Sequence, residues 1–227
     1  MQGKIFEGDY KTRCKNIDSL LCVGDTFDML KREIRLGDRH AVFYMIDGFL
    51  KGEVLEKIME FFLSLAPEDV PETYEDFLKK CTPYGDIVTV TTEQDFLHYV
   101  LSGLTGFVVE GYDEILVIDL RDYPSRSVEE PDKDKVLRGS RDGFVEAIMP
   151  NIALIRRRIR DVDLKFEIYS IGSSSRTDIS VVYMKDRVNQ KALSIIQKRL
   201  KKISVDSLTM NQESLAEVLM PRNWWNP

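Results

Sequence analysis

The chain has 227 residues, 43% of them hydrophobic, and a formal net charge of −6. That length allows one large domain or two small ones around an ordinary apolar core, and the acidic balance argues against a general nucleic-acid binder, whose phosphate contacts need a basic surface. The three cysteines, Cys14, Cys22 and Cys81, are odd in number and fit neither a C-x-x-C pair nor a disulfide framework, so they read as reduced thiols of an intracellular compartment.

Asp25-Thr26 reads as a helix cap, followed by Phe27, Leu30 and Ile34 at helical spacing and closed by Gly37. Arg39 to Ile46 has the length and composition of a strand and ends at Asp47-Gly48. Val54, Ile58, Phe61, Phe62 and Leu65 mark a second helix that stops before Pro67. A short helix at Tyr74 to Lys80 precedes the Pro83-Tyr84-Gly85 turn and a strand at Ile87 to Val90. Thr92 caps a helix carrying Phe96, Val100 and Leu104. Gly106 to Glu110 and Glu114 to Leu120 read as strands joined by the turn Gly111-Tyr112-Asp113.

The polar, proline-bounded stretch from Tyr123 to Lys135 has the composition of an exposed linker. It divides the chain into an N-terminal subdomain at 1–124, a linker at 125–137 and a C-terminal subdomain at 138–227. The second half opens with a helix from about Asp142 to Arg160, whose Phe144, Ile148, Ile152, Ile155 and Ile159 form one stripe and whose Pro150 should kink it. Strands at Lys165 to Ile171 and Asp178 to Met184 flank Gly172-Ser173-Ser174-Ser175. Helices around Asn189 to Lys201 and Gln212 to Leu219 follow. The expectation is an α/β fold of two subdomains, each a mixed sheet flanked by helices.

No segment approaches the ~20 apolar residues that cross a bilayer, and the N-terminus lacks the apolar core of a secretory signal, so the chain reads as soluble. The tail Pro221 to Pro227 holds both tryptophans, Trp224 and Trp225, and reads as the cut edge of a longer protein.

Little in the sequence announces chemistry. His40 and His98 have no neighbours at metal-ligand spacing, and no phosphate-binding loop, dinucleotide fingerprint or nucleophile elbow occurs. Glu68-Asp69 and Glu129-Glu130 sit in polar loops, where nothing desolvates a carboxylate into a catalytic pKa range. Gly172 to Ser175 is more economically a turn than a phosphate cradle. An enzyme is thus the minority reading, and no cofactor is called for.

The unusual segment is basic. Arg138, Arg141, Arg156, Arg157, Arg158 and Arg160 stand against only Asp142 and Glu146 between positions 138 and 160. Successive helical residues rotate by about 100°, so Arg156 to Arg158 fan around the helix and some guanidinium must approach the buried side. One reading is an internal network with Asp161, Asp163, Glu129, Glu130 or Asp134. The other is an anion or partner site.

Arg138-Gly-Ser-Arg-Asp-Gly-Phe-Val-Glu146 followed by Asn151-Ile-Ala-Leu-Ile-Arg-Arg-Arg-Ile-Arg-Asp161 resembles the signature in the soluble N-terminal domain of the GerA A-subunit family of spore germination proteins. Asp47-Gly48-Phe49, Asp119 to Pro124, Glu129-Glu130-Pro131, and Gly172 with Thr177-Asp178 agree in order. Ser140, and Tyr123 to Ser127 before Glu129, are most similar to the stage V sporulation protein AF branch.

The resemblance implies a two-part α/β domain on the cytoplasmic side of the spore inner membrane, attached to a membrane domain absent from this chain. It implies other subunits or copies of the germination complex as partners, and an oligomeric membrane path for ions. On that basis a regulatory and assembly module is expected. Its binding residues would be Arg138, Arg141, Asp142, Glu146, Asn151, Arg156, Arg157 and Arg158, and it would couple subunit contacts to early ion release. The alternative is a small-solute (germinant) binding module with a cleft between subdomains. An enzyme acting on phosphorylated or carboxylated substrates at the arginines is a third.

Overall fold

A two-residue turn decides how the first sheet begins. Gly37 and Asp38 join β1 (Met29–Leu36) to β2 (Arg39–Ile46), which pair antiparallel from Leu36 with Arg39 to Met29 with Ile46. Gly37 takes φ 60°, the left-handed conformation that such a turn needs and a side chain resists. The helix expected between Asp25 and Gly37 is therefore a strand. Ile34 and Leu36 are buried at a spacing of two, while Phe27 and Leu30 of the supposed helical stripe are exposed at 44% and 37%. Pairing along the whole length of β2 outweighs a spacing that three apolar residues satisfied by coincidence.

The computed structural model describes residues 3–82, 86–123 and 143–203, which divide into two units, Met1–Val162 and Asp163–Pro227. In the first unit, β3 (Ile87–Val90), β4 (Thr105–Val109) and β5 (Ile115–Ile118) complete a five-stranded sheet in the order β1-β2-β4-β5-β3. An α/β protein with helix-flanked sheets was expected and is found. The strand directions differ from the expected mix: every pairing between these strands is antiparallel. Tight turns at Gly37-Asp38 and between β4 and β5 leave no room for the crossover that a parallel pair requires.

The helices α1 (Tyr10–Leu20), α2 (Gly52–Ser64), α3 (Tyr74–Lys80) and α4 (Glu93–Leu101) cover the sheet. The last three lie where their periodicity placed them. Thr73 and Thr92 accept the Asp76 and Asp95 amides at 3.3 and 3.1 Å, the N-caps that start α3 and α4. The sequence reading missed α1, whose buried residues are Arg13, Cys14 and Ile17 and whose other residues, Tyr10 and Leu20 apart, are polar. Its start is nevertheless marked by Asp9, which accepts the Thr12 amide at 2.9 Å.

Alternation along β2 builds two cores. Val42, Tyr44 and Ile46 pack in one cluster with Ile17, Phe96 and Val100. Ala41, Phe43 and Met45 pack in the other with Ile58, Phe62 and Phe77. Phe107 stacks on Phe43 at 4.3 Å between ring centroids and on Phe62 at 5.1 Å. Each such ring, fully buried, contributes about 1.5–3 kcal/mol.

In the second unit, β6 (Leu164–Ile171) and β7 (Thr177–Met184) form an antiparallel ribbon, with Gly172 to Ser175 in the turn between them, followed by α6 (Gln190–Lys202). Asn189 caps α6 by accepting the Lys191 and Ala192 amides at 3.0 and 3.2 Å. Glu167 on β6 accepts from the Tyr169 and Tyr183 hydroxyls at 2.5 and 2.6 Å and from Gln197 Nε2 of α6 at 2.8 Å. Partial burial pushes Glu167 upward, but these hydrogen bonds outweigh it and hold the carboxyl below its ordinary range.

The linker at 125–137, the helix expected at 212–219 and both tryptophans lie outside the described residues. The helix expected to open the second half is α5 (Ile148–Arg158), and its packing places it in the first unit.

Candidate functional site

The start of α5 is fixed by its own fourth residue. Asn151 Oδ1 accepts the Val145 amide at 2.8 Å, and Asn151 Nδ2 donates to the Val145 carbonyl at 2.6 Å. Both amide functions of one side chain thereby clamp the strand of backbone entering the helix. Pro150 lies in the first turn, where amides have no intrahelical acceptor, so it costs no hydrogen bond. The kink expected there came from starting the helix too early.

The buried residues of α5 are Ile152, Ala153 and Arg156; of the expected stripe Phe144, Ile148, Ile152, Ile155 and Ile159, Ile152 is buried and Ile148 and Ile155 are half-buried. Phe144 is 70% and Ile159 41% exposed. The buried face has thus rotated toward an arginine. Arg156 Nε donates to Asp28 Oδ2 at 2.6 Å and Nη2 to Asp28 Oδ1 at 3.0 Å, a two-point pair across 128 residues of sequence. Nη1 donates to the Asp161 carbonyl at 2.6 Å, and Thr26 Oγ1 donates to Asp28 Oδ1 at 2.6 Å. The two side chains are 1% and 0% exposed. A pair this dry holds together only with its other polar atoms satisfied, and these contacts supply that.

Around the pair, α5 seats on the end of the hairpin. Gly48 has φ 82°, and a Cβ built there would lie 3.2 Å from that of Ala153, so the helix approaches bare backbone. The Asp47 amide, just before it, donates to the Asp28 carbonyl at 2.8 Å. Next to it, Phe49 is buried and meets the Tyr123 ring edge to face at 5.1 Å. Arg157 lies 4.7 Å over the Tyr123 ring, and the Tyr123 hydroxyl donates to the Ser102 carbonyl at 2.5 Å. Arg160 Nη1 reaches Ser102 Oγ at 3.0 Å. Three of the four arginines from 156 to 160 therefore fasten α5 and the residues after it to the rest of the first unit.

A cavity of about 460 Å³ opens beside this junction, lined by Asp86, His98, Ser102, Asp119, Arg121 and Arg160 among others. Arg121 Nε donates to Asp119 Oδ1 at 2.8 Å, and that hydrogen bond holds the Asp119 carboxyl below its ordinary range. Among the described residues no cluster of His, Cys, Asp or Glu has the makings of a metal site. His40 stacks on Tyr10 at 6.3 Å.

Of the expected site residues, Arg138, Arg141 and Asp142 lie outside the described residues. Asn151 and Arg156 come together on α5 as described. Arg157 and Arg158 are exposed on the same helix, and Glu146 is exposed just before it. The carboxylate that meets Arg156 was not among the partners expected: Asp28 comes from the turn just before β1, and Asp161 contributes its backbone carbonyl. Asp28 and Thr26 were overlooked because Asp25-Thr26 read as a helix cap. The signal was Thr26-Phe27-Asp28, two side chains able to share one hydrogen bond just before a strand.

Residues 17–227 match the Bacillus/Clostridium GerA spore germination protein family. The chain is 34% identical over 207 residues to the stage V sporulation protein AF of Bacillus subtilis, covering 90% of this chain and 42% of that protein. It is 26% identical over 197 residues to the uncharacterized membrane protein YfkQ of the same organism, covering 86% of this chain and 38% of that protein. The chain thus spans about two fifths of the length of these relatives. Among solved structures, its fold resembles the N-terminal domain of the A subunit of the Bacillus megaterium spore germinant receptor GerK3, with a TM-score of 0.65, 21% identity, and coverage of 96% of this chain and 82% of that one. With a family match over nearly its whole length, the chain belongs to the GerA spore germination protein family.

Proposed function

We propose that this chain is a regulatory and assembly domain of a spore germination protein, one that couples contacts between subunits to early ion release without catalysing a reaction of its own. In the full-length protein it would face the spore core, attached to a membrane domain in the inner membrane. The relative named as a membrane protein supports the attachment to a membrane domain. The observation that carries the reading is the buried Arg156–Asp28 pair. It fixes the pitch of α5 against the first sheet with a contact that is either made or broken, because a half-made version leaves a charge unpaired in a dry site. A force on the exposed side of α5, which carries Arg158 and the Arg157 side chain lying over Tyr123, is then passed to the sheet without slack.

No helix among the described residues is long and apolar enough to cross a membrane, so ion passage in this reading belongs to the rest of the protein. The test is potassium and dipicolinate release from spores carrying the full-length protein with Arg157 and Arg158 replaced by Ala. Protein level is checked by blot. Slowed release at normal level supports the reading. Release at the parental rate and normal level overturns the role given to this face of α5.

A further inference from the structure

The chain is acidic overall, yet α6 (Gln190–Lys202) carries Lys191, Lys198, Arg199, Lys201 and Lys202 and no acidic residue. Its inner side holds Leu193 and Leu200, with Gln197 bonded to Glu167. Its outer side has an isoleucine at the centre. Ile195 is 49% exposed, and Ile196 beside it is 40% exposed. On an α-helix the neighbours of position 195 are 191, 192, 198 and 199, and 202 lies on the same face one turn beyond 198 and 199. Lys191, Lys198, Arg199 and Lys202 are all exposed, as is Ala192 between them.

We infer that this face binds the surface of a bilayer containing anionic phospholipids. An apolar side chain flanked by three long cationic ones, with a fourth a turn further along the same face, matches such a surface in both of its layers. Lysine and arginine stems let their charged ends reach the phosphate level while Ile195 enters the interface below it. A folded acidic partner offers charge without a yielding apolar layer, and a helix this convex has no groove to receive one. The attraction is electrostatic at long range, so association is reversible and sensitive to salt. The face lies in the second unit and owes nothing to the Arg156–Asp28 pair.

The test uses the 227-residue chain and sedimentation with vesicles of phosphatidylcholine alone or of phosphatidylcholine mixed with phosphatidylglycerol. Binding is expected to the mixed vesicles only and to fall as salt rises from ~0.1 to ~1 M, where the screening length shrinks from ~10 to ~3 Å. In K191Q/K198Q/K202Q, apparent affinity should drop about fivefold for each lysine replaced. Ile195→Ser should weaken binding while leaving its salt dependence in place. All four positions are exposed, so circular dichroism and thermal unfolding of the variants should match the parent. Equal binding to neutral and anionic vesicles overturns the inference. So does unchanged binding of the triple variant, or binding to polyglutamate with none to vesicles. Should the triple variant misfold, the parent chain's preference between the two vesicle types and its salt dependence still decide.

Discussion

Arg156 in the first unit and Glu167 in the second each organise a polar cluster, and the two differ in how much water reaches them. Arg156 and its carboxylate partner are shut off from solvent, 1% and 0% exposed. Glu167 is only partly buried and takes its hydrogen bonds from neutral donors, two tyrosines and a glutamine. Remove a partner from Arg156 and a bare charge remains where water cannot follow. Remove a donor from Glu167 and a water molecule can replace it. Both clusters have good geometry, so the lesson is that exclusion of solvent, more than the number of hydrogen bonds, decides whether a charged cluster is a rigid constraint or an adjustable one.

The sharpest way to break this contrast is to unpair the buried charge. Arg156→Ala or Asp28→Ala should each cost about 3–5 kcal/mol, seen as a lowered midpoint in urea unfolding followed by circular dichroism. Replacing both, Asp28→Leu with Arg156→Met, removes the unpaired charge and should leave the chain more stable than either single variant. A double variant as unstable as the worse single one would show that the pair matters through something other than its charge.

The next effect belongs to the backbone under α5. Gly48→Ala places a Cβ on a residue at φ 82° and against Ala153. Forcing a side chain into left-handed backbone costs roughly 1–2 kcal/mol, and the same unfolding measurement reads it. Because Gly48 and Arg156 hold the same helix to the same hairpin, the losses in Gly48→Ala and Arg156→Ala should combine less than additively.

How much of this was legible in the sequence follows the same divide between local and distant causes. Thr73, Thr92 and Asn189 act on amides two or three residues away, so α3, α4 and α6 could be read where they lie. The signature around Asn151 to Asp161 drew attention to the segment that carries the buried Arg156. What it could not give was Asp28, since nothing local links positions 28 and 156. The false helix at Asp25 to Gly37 has a related cause. Phe27, Leu30 and Ile34 have helical spacing, but pairing with β2, settled by the turn at Gly37, overrode it. In α1, Arg13 is buried by donating to the carbonyls of Ile5, Tyr112 and Asp113 at 3.2, 2.6 and 2.7 Å. The helix's stripe of Tyr10, Cys14, Ile17 and Leu21 is short and interrupted by charged and polar residues, one of them this buried arginine, so it was passed over.

The contrast sharpens under acid. The folded-state pKa of Glu167 is lowered, so its contribution is in full force above the ordinary carboxylate pKa of about 4.3 and fades as pH falls through the folded value. Glu167→Gln should therefore cost on the order of 1 kcal/mol at neutral pH, with the gap from the parent chain closing as the pH is lowered below about 4. Asp119, also held low by Arg121, fades over the same range in both proteins and cancels from the difference. Thermal unfolding of the two proteins at matched pH measures the gap. A gap that stays constant with pH would mean that Glu167 acts through its shape rather than its charge.

The smallest effect should come from Arg157, one residue along the helix from Arg156 and on its exposed side. Its guanidinium lies over the Tyr123 ring at 4.7 Å, with water on its other side. A cation over an aromatic face at an exposed site is worth about 0.5–1 kcal/mol, so Arg157→Ala should lose no more than that. Arg157→Lys should retain most of it, because an ammonium is also drawn to the ring. The same exchange at Arg156 should be far more damaging, since a lysine there cannot meet both oxygens of Asp28 and the Asp161 carbonyl in one plane. Two lysine variants one residue apart, compared by thermal unfolding, therefore isolate the effect of burial from that of residue type. Equal losses at both positions would mean that solvent reaches Arg156 as freely as Arg157, and the rigid junction proposed for α5 would fall with that result.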